Sequence, residues 1–479
     1  MTAPKALPDD AGGRSPDRHI SLALLVAGTF FMENLNATVI VPALPHMAES
    51  FAVPPVALNT GISAYILTLG VFIPVSGWLT DRFGARRIFP TAIALFTIAS
   101  LLCGLATSFP QFVALRILQG VGGALMVPVG RLVVLRVTPK DRLIPVIATL
   151  TWPALLAPVL GAPLGGLIAD WADWRWIFYL NLPLGLIAFA LAWRLVPGTA
   201  EQSRRGFDWP GFVLTGGAVF LLLSATEVLA RWQIAWGEAI LFAVIGLALL
   251  AAAVRHLRRA QAPMISLDAL DVRTFAVTVW GGSFFRMGIT AIPFLLPLMF
   301  QIGFGASAFE AGLMLMAVFA GNLAMKPMTT AVLRRFGFRS VLVGNGLVNT
   351  AAIAACALLS PAMPLWLVYA VLFIGGMARS MQFTALNTIA FSDIPSTGMA
   401  SANTLFSTVF QLALGLGIAL GAIAWRIGES VTVSADPAMP FRIAFLIVAA
   451  IALIGVWDSW RLDPTAGDHV ARGHRGKKD

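Results

Sequence analysis

Long apolar segments, each of a length that can cross a membrane, dominate this sequence. A spanning helix needs about 20 apolar residues, whereas an outer-membrane barrel would show alternating segments of about ten. Only 12% of the residues are charged, against about 25% in soluble chains. The pattern predicts an all-α membrane protein with fourteen transmembrane helices, near 20–44, 57–79, 88–107, 111–136, 144–168, 177–195, 209–228, 237–254, 274–300, 308–331, 340–360, 365–391, 399–425 and 441–460.

Basic residues fall mostly on one side of these segments. Most of the 33 Lys and Arg lie in the two tails or in the connections that follow even-numbered segments, and Arg131 is assigned to one of these connections. The opposite connections contain only Arg175, Arg231, Arg426 and Arg442. Because Lys and Arg are retained on the cytoplasmic side, we expect both termini in the cytoplasm and an uncleaved first segment.

A repeated pattern, RFGxR, relates the two halves of the chain. It occurs at Arg82–Arg86 after the second segment and at Arg335–Arg339 after the tenth. Internal repeats of this kind are typical of secondary transporters. We therefore predict an N-terminal tail (1–19), a six-helix bundle (20–195), a linker with two inserted helices (196–273), a second six-helix bundle (274–460) and a basic tail (461–479). A central cavity would lie between the bundles.

Glu33 is the one carboxylate that this segmentation places mid-membrane. A buried acid at that depth costs several kcal/mol unless it is paired, protonated or hydrated, so it marks a candidate proton-coupling site. Asn36 lies on the same helical face, and the repeat maps Glu33 onto Arg286 in the ninth segment. The three residues are the predicted coupling site. The alternative is an acid that only holds two helices together.

The connection after the second segment reads GWLTDRFGARR and is the candidate conformational switch. Asp81 could cap a helix or pair with an arginine, forming a latch that is closed in one conformation. Gly77 would allow close helix approach and Gly84 a tight turn. The full predicted switch set is Gly77, Asp81, Arg82, Gly84, Arg86 and Arg87.

Other polar residues inside the segments are candidates for contact with a substrate. They are Arg116 and Gln119 in the fourth segment and Arg379 and Gln382 in the twelfth. Met32 is a candidate apolar lining residue, but packing against lipid or in the core is the favoured explanation for it. For a single Asn or Gln, hydrogen bonding between helices is the favoured explanation. Lys326 lies near enough to the end of its segment to reach the interface.

Several classes of function are disfavoured by what the sequence lacks. Cys103 and Cys356 lie in apolar runs, and the five histidines fall in tails or connections, so no metal or haem site is expected. There is no GxxxxGK[ST] motif for ATP, no nucleophile–base set and no large soluble domain. We expect the protein to be neither an enzyme nor a receptor. We also expect it to need no cofactor and to bind no nucleic acid.

Six motifs in order resemble the major facilitator superfamily, specifically its fourteen-span drug:proton antiporter branch of the EmrB/QacA type. They are FMENLNATVIVPALP in span one, GWLTDRFGARR, LRILQGVGGA in span four, PVLGAPLGG in span five, WRWIFYLNLPLG and FDWPG. The fifth-span motif contributes Pro158, Gly161, Pro163, Gly165 and Gly166 as the antiporter motif. MISLDALDVRTF and PFLLPLMFQIGFGASAF look most like HsrA-type members.

The resemblance implies export of small amphipathic compounds in exchange for protons, across a bacterial inner membrane, with the proton gradient as energy source; we expect a monomer. The branch usually has Asp where this chain has Asn36, and the second Pro of the span-five motif is displaced to Pro163. The acid at Glu33 could take over coupling, or the protein could be an uncoupled facilitator or an exporter of a specific metabolite. If Arg116, Arg286 and Arg379 all faced the cavity, they would disfavour cationic substrates.

Overall fold

The computed structural model describes residues 16–198, 206–230, 235–432 and 436–471, and its regular structure in these ranges is entirely helical. Outside the described residues lie the parts of the predicted tails before residue 16 and after residue 471, and also Arg204, Arg205 and Arg231. The helices are α1 (Pro16–Val39), α2 (Leu44–Phe51), α3 (Asn59–Phe72), α4 (Val75–Phe83), α5 (Ala85–Gly104), α6 (Phe109–Val137), α7 (Leu143–Trp171), α8 (Trp176–Tyr179), α9 (Asn181–Leu195), α10 (Trp209–Ala230), α11 (Trp236–Arg259), α12 (Arg273–Leu298), α13 (Ala308–Phe336), α14 (Phe338–Cys356), α15 (Leu365–Ile389), α16 (Met399–Val431), α17 (Met439–Trp460) and α18 (Asp468–Ala471).

The helices coincide with the apolar segments of the sequence. In the described part of the chain, eleven are long and apolar enough to cross a membrane, and twelve if α3 and α4, which are bent by 55° at their junction, form one span. Two further helices, α7 and α14, occupy the fifth and eleventh predicted segments with 29 and 19 residues. The prediction of an all-helical membrane protein is confirmed.

The two copies of RFGxR adopt the same backbone turn. Gly84 follows α4 with φ 81°, and Gly337 follows α13 with φ 76°. Positive φ is strained for residues with a Cβ, so glycine is needed at both places. The repeated pattern thus encodes a repeated helix–turn–helix connection.

Most contacts form within two sets of helices, here called the first helix group (α1–α9) and the second helix group (α12–α17). In the first, α1 packs on α7, and α5 packs on α6 and α9; in the second, α12 packs on α16 and α17, and α13 on α15. The inserted helices α10 and α11 pack on each other, and α10 also contacts α3 and α16.

One apolar cluster joins the two groups. It contains Leu135 and Ile144 of the first group, Phe391 and Phe406 of the second, and also Val470 near the end of the described chain. Since α1 begins and α17 ends on this side, we call it the terminal end of the molecule. The groups are therefore in close contact at the terminal end.

Candidate functional site

A cavity of about 1270 Å³ lies between the two helix groups, away from the terminal end. Its wall comes from α1, α3, α6, α10, α12 and α16, and it includes Asn59 at the start of α3 and Glu227 near the end of α10. Among the described residues, the charged members of this lining are Glu33 and Glu227, and most of the remainder is apolar. An acidic, largely apolar cavity suits amphipathic molecules that are neutral or positively charged.

Glu33 is placed at this cavity by α1. Its Oε2 atom is buried and has no hydrogen-bond partner in the described part of the structure. No hydrogen bond or ion pair joins Glu33 to Arg286 among the described residues; the basic side chain that interacts electrostatically with Glu33 is Arg131 of α6. A carboxyl group that reaches a cavity and faces one nearby cation can exchange a proton with that cavity.

Arg131 is the functional candidate that the sequence analysis missed. The charge pattern places it in a connection, but it lies inside α6, with its guanidinium carbon 5.6 Å from the centre of the Phe30 ring and 5.0 Å from that of Phe406. The signal was present, because four apolar residues follow Arg131 before the next arginine at 136. That spacing leaves Arg131 more than one helical turn inside the apolar run.

Arg286 contacts one of the same rings as Arg131, that of Phe406. It is 2% exposed, its Nη1 donates to the carbonyl of Thr278 (2.8 Å), and its guanidinium carbon lies 5.0 Å from the centre of Phe406 and 5.2 Å from that of Phe410. It interacts repulsively with Arg131. Arg286 thus belongs to the interior of the second helix group and does not line the cavity.

Arg116 and Gln119 form a buried network behind the cavity wall. Arg116 donates to the Gly61 carbonyl (3.2 Å) and to Gln119 Oε1 (2.5 Å), and it lies over the Tyr65 ring at 4.4 Å. Gln119 donates to Asn36 Oδ1 (3.1 Å) and to Ser100 Oγ (2.7 Å). The network ties α1, α3, α5 and α6 together, and its member Tyr65 is the one that reaches the lining.

The remaining predicted cavity residues are also away from this lining. Met32 is buried. Gln382 donates to the Leu342 carbonyl (2.9 Å) and accepts from Asn345 (2.9 Å), while Arg379 has a buried Nη1 without a partner in the described part. With Arg116, Arg286 and Arg379 off the lining, the condition for a cavity that repels cations is not met.

Lys326 bridges the two helix groups instead of reaching the membrane surface. Its ammonium donates to Thr151 Oγ1 of α7 (2.8 Å) and to Thr384 Oγ1 of α15 (2.9 Å). No carboxylate lies in an ion pair with it among the described residues. The contact adds a polar link at the seam between α7 and the second group.

The predicted switch residues lie at the terminal end. Asp81 pairs with Arg136 at 2.9 Å, Arg82 is partly buried, and Arg86 and Arg87 are exposed. Gly77 packs directly against Thr404 of the second group, where any Cβ would collide with Oγ1. The predicted pairing of Asp81 with an arginine is therefore present, and Gly77 allows a close approach between the groups.

Two polar side chains close the terminal end with three hydrogen bonds. Lys140 donates to the carbonyls of Phe391 (2.5 Å) and Ile394 (3.1 Å), and Asn403 donates to the Pro128 carbonyl (2.8 Å). Burial lowers the pKa of Lys140, and nearby Asp393 opposes this. The molecule is thus closed at one end and has its cavity toward the other.

The glycines of the span-five motif set the distance between α7 and α1. A Cβ at Gly161 would collide with Thr38, and one at Gly165 with the Val39 carbonyl, so both positions require glycine. Among the described residues, a Cβ at Gly166 would come near only Pro42, and Pro163 is exposed. The side chain of Pro158 lies outside the described residues.

The FDWPG motif fixes the start of the inserted helices. Asp208 accepts hydrogen bonds from the backbone of Gly211 (2.9 Å) and Met264 (3.2 Å) and pairs with His256 (2.8 Å). Burial raises the pKa of Asp208, but these contacts lower it by more, so that it lies below the usual value. Asp208 thereby joins both ends of the α10–α11 hairpin.

Comparison with known proteins agrees with this architecture. The family model for the Major Facilitator Superfamily matches residues 26–418 and 278–478. The MdtD protein of Pectobacterium carotovorum, which is named for multidrug resistance, is 36% identical over 401 residues, covering 83% of this chain and 85% of the relative. An MdtD protein of Klebsiella pneumoniae is 35% identical over 460 residues, covering 95% and 97%.

Solved structures share the fold at low sequence identity. The human organic anion transporter MFSD10 gives a TM-score of 0.64 at 14% identity, covering 93% of this chain and 100% of that one. The proton:xylose symporter XylE gives 0.63 at 14%, covering 95% and 98%. The chain belongs to the major facilitator superfamily and is a membrane transporter, not an enzyme.

Proposed function

We propose that this transporter exports small amphipathic compounds in exchange for protons, by alternating access and without a cofactor. The observation that carries the proposal is Glu33, an interior carboxylate that reaches a large cavity with one oxygen atom unpartnered in the described part. Proton binding to Glu33 changes the charge of the cavity wall. A ligand, here the proton, shifts the equilibrium between two conformations only if it binds one of them more tightly than the other. A site whose surroundings differ between the two conformations meets that condition. The multidrug resistance names of the MdtD relatives support efflux as the direction.

The cavity supports a broad substrate range. Typical ligand pockets have volumes of about 300–1,000 Å³, and this cavity, at about 1270 Å³, is larger. Glu33 and Glu227 are the charged lining residues in the described part of the chain, so compounds with a positive charge beside an apolar body fit it best. Arg116, Gln119, Met32, Arg379 and Gln382 would then act from behind the wall in this conformation.

The alternating-access cycle would use the closed terminal end as one of its two states. Asp81–Arg136, Gly77–Thr404 and Lys140 all belong to that end. Opening it requires the contacts that join the two groups, Gly77–Thr404 and the hydrogen bonds of Lys140, to break while the cavity closes on the other side, as in rigid-body rocking of two related halves. The Asp81–Arg136 pair lies within the first group, between α4 and α6. The switch loop would therefore control the rate of conversion and not the affinity for substrate.

We place the protein in the fourteen-span drug:proton antiporter branch, as two six-helix bundles with α10 and α11 inserted between them. The helices at all fourteen predicted segments support that count. The strong excess of Lys and Arg at the terminal end supports a cytoplasmic location for both termini in a bacterial inner membrane, even with Arg131 removed from the loops. A reporter fused to the C-terminus should be active in the cytoplasm, and activity on the outside would refute this topology.

Flux in proteoliposomes tests the coupling. Purified protein should accumulate tetraphenylphosphonium against its gradient when a pH gradient is imposed, and only equilibrate it when the gradient is collapsed with an ionophore. The alternative, an uncoupled exporter, is favoured by Asn36, which is held in the Gln119 network instead of facing the cavity as a free acid. Transport that is equally fast with and without the gradient would establish that alternative.

A further inference from the structure

The inserted helix α10 forms part of the cavity wall. Its residues Phe220, Leu223, Thr226 and Glu227 line the cavity between α3 of the first helix group and α16 of the second. A pair of helices added outside the two groups could have packed on their surface alone. Here α10 instead lies across the seam where the two groups meet.

Leu223 occupies a gap that glycines leave on both sides of this seam. A Cβ at Gly70 of α3 would lie 2.7 Å from Leu223 Cδ1, and a Cβ at Gly415 of α16 would lie 2.6 Å from Leu223 Cδ2. Real Cβ atoms do not come that close, so each methyl group of Leu223 rests in a place that only glycine leaves open. Leu223 is 3% exposed, so its side chain is tightly packed between α3 and α16.

The preceding residue, Leu222, faces the other way. It is 8% exposed and packs on Gly246 of α11, where a Cβ would lie 3.0 Å from Leu222 Cγ. Leu222 does not line the cavity. The chain thus holds two adjacent leucines of similar burial, one at the α10–α11 contact and one at the cavity.

We propose that Leu223 is a specificity-determining residue, which sets the width of the cavity between α3 and α16 and so the largest apolar body that a substrate can carry. The inference rests on the proposed function for its substrate class. A change of one methylene group in an apolar pocket alters the preference between ligands by about tenfold or more. Truncating Leu223 removes more than one such group and opens the space between Gly70 and Gly415.

Equilibrium binding of a size series tests this without any proton gradient. The probes are tetraalkylammonium ions with chains from ethyl to pentyl, measured on purified protein in detergent for the wild type, Leu223→Ala and Leu222→Ala. In Leu223→Ala we expect the preferred ion to be larger than in the wild type. The affinity for the largest ion divided by the affinity for the smallest ion should rise by about tenfold. Leu222→Ala, the matched control, should keep the wild-type order.

Leu223→Phe should change the preference in the opposite direction, toward the smaller ions. If Leu223→Ala does not fold, Leu223→Val replaces it as the variant with a smaller side chain, and Leu223→Phe remains the variant with a larger one. An unchanged order in all Leu223 variants, or an equal change in Leu222→Ala, would overturn the assignment. If the wild type binds no ion of the series, the proposed substrate class is wrong and this inference falls with it.

Discussion

Arg131 and Arg286 lie against the same aromatic ring: the guanidinium carbon of each is 5.0 Å from the centre of Phe406. Arg131 belongs to the first helix group and Arg286 to the second, and each has a buried nitrogen without a partner in the described part. Two like charges repel strongly where water is excluded. Glu33 interacts attractively with Arg131, so its carboxylate supplies a negative charge beside one of the two cations. A proton on Glu33 should therefore weaken the contact between the groups.

Glu33→Gln should abolish proton-driven accumulation of substrate. Glutamine keeps the shape of the side chain but cannot exchange a proton, so some substrate binding should remain and no longer vary with pH. Binding and flux at several pH values measure this, with Glu49→Gln on the exposed face of α2 as control. Gradient-driven accumulation that persists in Glu33→Gln would place the proton site elsewhere.

Arg131→Gln should shift the pH profile of transport to higher pH. Removing a nearby positive charge makes a carboxylate hold its proton more tightly, and Arg131 is the cation that acts on Glu33. Arg286→Gln should have a smaller effect, because Arg286 acts on Arg131. The measurement is gradient-driven flux against pH for both variants. A larger shift in Arg286→Gln would favour direct contact between Glu33 and Arg286, as the repeat pattern predicts.

Asp81→Asn should slow turnover at least tenfold while substrate affinity stays within about twofold, since the Asp81–Arg136 pair lies far from the cavity lining and serves the terminal end. Combining it with Arg136→Gln should add little, because both changes remove one interaction. Asp141→Asn, an exposed acid at the same end, is the control. Loss of affinity with normal turnover would contradict the role as a switch.

Asp208→Asn should destabilise the α10–α11 hairpin by about 1–3 kcal/mol at neutral pH, the usual cost of losing hydrogen bonds to a charged group. The lowered pKa of Asp208 means that its contribution is present above the ordinary Asp value, about 3.9, and is lost as pH falls through the folded-state value. Thermal unfolding in detergent at neutral and acidic pH measures the difference, which should disappear in acid. Asp268→Asn, an exposed acid in the same linker region, should change little at either pH.

Local sequence patterns were sufficient for the helices and for several contacts. Apolar segment length placed the long helices, because the bilayer requires a backbone that satisfies its own hydrogen bonds. It did not indicate the 55° bend between α3 and α4 or the short helices α2 and α18. The turn expected at Gly84 is present, and Gly337 in the second copy of RFGxR has the same positive φ, which is a property of one residue. The close contact at Gly77 and the pairing of Asp81 also followed from the motif.

Which interior charges meet was decided by the tertiary structure alone. The repeat mapped Glu33 onto Arg286, but side-chain contacts depend on helix rotation and crossing, which spacing in the sequence does not specify. The packing of α6 against α1 and α16 brought Arg131 to both Glu33 and Phe406, and it left Arg116 and Gln119 behind the cavity wall. In the same way, the sequence marked α10 only as an extra span. Its place across the seam, with Leu223 between Gly70 and Gly415, exists only once helices distant in the chain are packed together.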